Sequence, residues 1–66
     1  MKPMSTAAAQ RARSIGRRLT EARRAGDRDK ELRYRKSAKA MIAEFGQDAQ
    51  REIAIGRREQ LRRTRG

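Results

Sequence analysis

The side chains in this 66-residue chain that could do chemistry are mostly guanidinium groups: 15 arginines and 4 lysines stand against 8 acids, for a net charge of +11. A guanidinium stays protonated at any ordinary pH and presents five donors in a fixed fork, so it recognises carboxylates and phosphates and does not shuttle protons. With no His and no Cys, imidazole bases, thiolate nucleophiles, disulfides and the usual zinc ligands are out of reach. The serines and threonines have no evident activating partner, and so thin a chain offers no walled pocket; no catalytic residue, metal site or cofactor is expected. Asp27-Arg28-Asp29-Lys30-Glu31 looks like the opening of a calcium loop, yet Leu32 stands where that loop needs glycine and Ala38 where it needs a bidentate glutamate.

The spacing of the arginines says more than their number. The tetrapeptide Ile-Gly-Arg-Arg occurs at residues 15–18 and again at 55–58. No phosphate-binding loop or dinucleotide fingerprint surrounds either copy, and over residues 14–23 and 54–63 the two stretches agree beyond the tetrapeptide only at Arg23 and Arg63, which is too little within those bounds for an internal repeat. On a helix advancing about 100° per residue, Arg13, Arg17 and Arg24 line up opposite the apolar stripe, on the face expected to point outward. The C-terminal stretch packs Arg57, Arg58, Arg62, Arg63 and Arg65 into nine residues, the composition of a phosphate-binding arm that orders when it binds. A GC-rich genome also enriches arginine and alanine, so charge alone does not make the case. The scarcity of acids on the first segment adds to it, because a merely solvated helix usually interleaves glutamates for pairing one turn away.

Helices must position these groups. Ala8, Ala12, Ile15, Leu19 and Ala22 recur at intervals of four and three, as do Tyr34, Ala38, Met41 and Phe45. Ser5 or Thr6 is a suitable first cap, Gly26 a left-handed stop, and Asp27, Asp29 and Glu31 crowd a helix start where negative charge is favoured. The expectation is an all-α fold: an antiparallel helical hairpin with a helix at about 5–25, a turn at 26–27 and a helix at about 28–45. Leu19 would face Tyr34, Ile15 face Ala38, Ala12 face Met41 and Ala8 face Phe45, with Tyr34 and Phe45 as core residues and not base-stacking platforms. A third helix or helical extension covers about 47–63, with Gly46 either ending the second helix or sitting within it. Residues 1–66 form one small domain, in which 57–66 is a basic tail expected to order on binding.

On this reading Ile53, Ile55 and Leu61 find no partner on the first helix and must meet a third element, a second subunit or a target. The apolar inventory is thin for a chain of this length, so a homodimer is expected. The first twenty residues lack acids and look like an organellar presequence, but their removal would leave too little chain to fold. Nothing approaches a membrane span, and the absence of cysteine fits a cytoplasmic protein.

The function expected from these features is non-enzymatic binding of DNA or structured RNA, mainly through phosphates, as a small regulatory or accessory factor. Arg13, Arg17, Arg24, Arg57, Arg58, Arg62, Arg63 and Arg65 would make the contacts. The alternative is a small regulator or inhibitor, of the kind mobile elements encode, that docks an acidic and apolar surface of a larger protein. Ile53, Ile55 and Leu61 in an otherwise basic segment favour it, because phosphate binding alone needs no isoleucines.

Overall fold

The computed structural model describes residues 2–65, and the side chains of residues 2–63. Three helices make up the described chain, α1 (Thr6–Ala25), α2 (Arg28–Phe45) and α3 (Gln47–Arg65), and no strand occurs among the described residues. The Cα positions span 34 × 26 × 16 Å. That shape is flat because α1 lies centrally, packing on both other helices more extensively than they pack on each other.

Local chemistry fixes the start of α1 and both junctions between the helices. Ser5, with extended backbone, accepts at Oγ from the Ala8 N–H at 3.1 Å and caps α1. At the other end Gly26 takes the left-handed conformation (φ 70°), donating to the Arg23 carbonyl at 3.2 Å while the Asp27 N–H donates to Ala22 at 3.0 Å. Those two bonds are the Schellman arrangement, and they satisfy carbonyls that the helix end would otherwise orphan. Asp27 at once caps α2, its Oδ1 accepting from the Lys30 N–H at 3.2 Å, and Asp29 and Glu31 follow in the first turn.

Gly46 ends α2 and does not continue it. Its φ of 69° and ψ of −139° lie in a region that glycine alone enters readily. Its N–H donates to Ile42 at 2.7 Å and its carbonyl accepts from Gln50 at 3.3 Å, so one residue closes α2 and opens α3.

The core is small and rich in alanine. Ala12, Ile15, Ala38, Met41, Ala49 and Ile53 form one buried cluster, with Met4, Ala8, Ile42 and Phe45 packed around it. Leu19, Ala22 and Thr20 are also buried. Ile53 therefore departs from the sequence expectation: it does find a partner on α1, lying 7% exposed in the same cluster as Ala12 and Ile15. Ile55 is half-buried, and Leu61 remains 50% exposed.

The two Ile-Gly-Arg-Arg copies explain how Ile53 gets there. A Cβ built on Gly16 would lie 2.1 Å from the carbonyl oxygen of Ile53, and one built on Gly56 would lie 2.0 Å from that of Arg13. Each glycine thus meets the carbonyl three residues before the other glycine, so α1 and α3 touch backbone to backbone, and the pairs Arg13–Glu52 and Arg17–Glu59, which advance together along both helices, show that the two run parallel. The reciprocity gives the crossing a local two-fold character, with the tetrapeptides side by side. The glycines of the two copies therefore share one structural job. Contacts this close between a Cα–H and a carbonyl recur at helix crossings and are individually weak; what they permit is the approach that buries Ala12, Ala49 and Ile53.

Candidate nucleic-acid interface

The crossing redirects two of the arginines read as outward. Arg13 and Arg17 stand on the edge of the α1 face that carries Gly16 and Thr20, and that face is covered by α3. Arg13 Nε donates to Glu52 Oε2, and Arg17 Nη1 donates to Glu59 Oε1 at 3.2 Å. The hydrogen bond to Glu52, then the charge of Glu52, with a further contribution from Glu59, hold the Arg13 guanidinium protonated above its ordinary range against the opposing effect of burial. Arg13 and Arg17 are already answered by carboxylates, and the outward placement expected for them is corrected. The reason is chemical: a guanidinium accepts a glutamate as readily as a phosphate, and the two glutamates lie about forty residues further along the chain.

The other expected contacts divide by position. Arg24 is exposed in the last turn of α1. Arg57, Arg58, Arg62 and Arg63 are exposed on α3, which continues as helix to Arg65; the Arg65 side chain lies outside the described residues. Among the described residues none of these five exposed arginines forms an ion pair with a carboxylate.

One basic face was not among the sequence expectations. It lies on α2, where only Ala38 and Met41 of 18 residues are buried. Leu32, 60% exposed, sits between two open hollows, one shared with Arg33, Arg35, Lys36 and Lys39 and the other with Arg28, Glu31 and Arg35. None of these five cations pairs with a carboxylate among the described residues. Two acids of α2 are already occupied, Glu31 by Arg23 at 3.1 Å and Glu44 by Lys2 at 3.6 Å. The signal for this face is helical phase. Segment 27–49 sums to a net charge near zero, but most of its acids turn toward α1 or the helix ends while its bases turn outward.

Tyr34 and Phe45 are half-buried. Phe45 packs on the core, and Tyr34 lines hollows between α1 and α2 that also hold Arg18. No cluster of residues able to hold a metal occurs among the described residues, and no helix among them is long and apolar enough to cross a membrane. No protein-family model, curated protein or solved structure matches the chain.

Proposed function

We propose that this chain binds nucleic-acid duplexes, without catalysis, mainly through phosphate contacts, as a small regulatory or accessory factor. One observation carries the reading: the carboxylates that form ion pairs are spent inside the bundle or along its seams, and the cations on the outer faces of α2 and α3 form no ion pair among the described residues. A net charge of +11 held on a rigid frame in this way attracts a polyanion over long range. The contact set is Arg28, Arg33, Arg35, Lys36 and Lys39 on α2, with Arg24 and the α3 arginines Arg57, Arg58, Arg62 and Arg63 as further contacts. Arg13 and Arg17 drop out of that set.

Titrating a fluorescent duplex with the full chain across a range of salt tests the reading. If about five phosphates are engaged, log affinity falls against log salt with a slope of about −4 to −5, and Arg35→Gln flattens that slope by about one. A salt-independent affinity, or no binding to any duplex at low salt, rules the proposal out. The second reading, docking on an acidic protein surface, is favoured by Leu32 and Leu61, both exposed among cations; there a single complex would form with an acidic amphipathic partner and depend on those leucines. The same leucines are the surface through which a homodimer would form, and a melting temperature that rises with protein concentration is its signature.

A further inference from the structure

The arrangement around Leu32 goes beyond a basic surface. With Leu32 at 0° and about 100° per residue, Lys39, Arg28 and Arg35 fall on one side at about −20°, −40° and −60°, and Lys36 and Arg33 on the other at about 40° and 100°. One apolar side chain, Leu32, therefore stands in the middle of the exposed face, with cations on both sides of it. From Arg28 to Lys39 the face extends roughly 16 Å at about 1.5 Å per residue, close to five base steps at about 3.4 Å each.

We infer that α2 is a groove-entering helix, and that its partner is the major groove of B-form DNA. The inference rests on the duplex-binding reading above and adds which helix enters, which groove, and which nucleic acid. The B-form major groove is about 12 Å wide and accepts one α-helix, with a phosphate strand on each side and base edges, including thymine methyl groups, at its floor. Flanking cations match the two strands and a central leucine matches the floor. The A-form major groove of duplex RNA is too deep and narrow for such entry. α2 is also the helix least embedded in its own fold, with two buried residues against six on α1, so it can insert without the bundle opening. Asp29, at about 60°, stands on the flank that Lys36 and Arg33 occupy, near its N-terminal end, and opposes a phosphate there, which leaves Arg33, Arg35, Lys36 and Lys39 as the stronger contacts.

The test compares three probes of one sequence: a 20-base-pair DNA duplex, the matching RNA duplex, and the DNA duplex with glucosylated hydroxymethylcytosines that fill the major groove but leave the phosphates unchanged. The full chain is expected to bind the plain DNA at least tenfold more tightly than either of the others near physiological salt. Leu32→Ala, an exposed change whose helicity circular dichroism checks, should weaken DNA binding several-fold without altering the salt slope; Lys39→Gln should flatten the slope by about one. Equal affinity for the three probes, or a Leu32→Ala affinity equal to the parent's, overturns the groove inference and leaves phosphate binding standing. Failure to bind any of the three at low salt, with capture of an acidic amphipathic peptide instead, overturns the duplex reading and the groove inference together.

Discussion

The two sides of α1 join it to the rest of the chain by different means. Toward α3 the backbones touch: Gly16 and Gly56 leave no room for a side chain, small residues fill the contact, and two Arg–Glu pairs flank it. Toward α2 the contact is made by side chains, Ile15 with Ala38 and Met41 in the shared cluster, and α2 keeps most of its circumference in solvent. A backbone contact tolerates one geometry and offers no surface for a ligand. A side-chain contact through a narrow stripe leaves a face free, and that face is where the unpaired cations stand. The division of labour is thus set by residue size: glycine and alanine lock α1 to α3, and the freedom of α2 is the consequence.

Adding one methyl group at the crossing is the strongest way to break this comparison. In an isolated helix, Gly→Ala is favourable by about 1 kcal/mol. Here the new Cβ would fall within 2.1 Å of a carbonyl oxygen at Gly16 and 2.0 Å at Gly56, with backbone on both sides and no flexible side chain to yield. Overpacking costs about 1–3 kcal/mol in an ordinary core and more where rigid backbone must move, as here, so after the propensity gain of about 1 kcal/mol the net effect of Gly16→Ala or Gly56→Ala is a loss of about 2 kcal/mol or more. For a chain whose total stability is on the order of 3–10 kcal/mol, that lowers the thermal midpoint steeply. A rise in midpoint from either substitution, followed by circular dichroism, would show that propensity wins and that the helices do not touch there.

Next in size is the separation of Ile53 from the other two aliphatic residues of its segment. Ile53→Ala removes buried methyls from the common cluster and should destabilise by about 2–4 kcal/mol. Leu61→Ala, at a residue already 50% exposed, should cost less than about 1 kcal/mol, with half-buried Ile55→Ala between them. Urea unfolding gives the three values on one scale. A Leu61 effect equal to that of Ile53 would mean that the end of α3 is covered by something other than α1.

What was legible in the residues beforehand follows from how local the physics is. Ser5, Gly26 and Asp27 could be read as helix boundaries because a cap is decided by a few adjacent residues. The stripe from Ala8 to Ala22 could be read because large side chains among them mark the period. The α3 contact could not be found the same way: Ala12, Gly16 and Thr20 occupy a second face of α1 whose signal is a lack of bulk, and a search that follows large apolar residues passes over it. The repeated tetrapeptide was visible, but its meaning depended on α3 returning parallel to α1 in a register that puts the copies level. The α2 face was hidden for a different reason. Summing charge along segment 27–49 adds acids and bases that the helix sends to different sides.

The smallest effect sharpens the comparison at the flanks of the crossing. Arg17 and Glu59 are each substantially solvent-exposed, at 34% and 46%, so their pair is worth roughly 0.3–0.5 kcal/mol and is screened by salt. A double-mutant cycle with Arg17→Gln and Glu59→Gln should return a coupling of that size at low ionic strength and close to none at about 1 M salt, where the screening length is about 3 Å. The Arg13–Glu52 pair has the more shielded carboxylate, 19% exposed, and its coupling should be larger and persist further into high salt. Both cycles should be unchanged when a DNA duplex is added, because the cations assigned to phosphate lie on other faces. If duplex abolishes the Arg17–Glu59 coupling while the bundle stays folded, a phosphate has displaced the glutamate, and the edge of the crossing belongs to the binding surface after all.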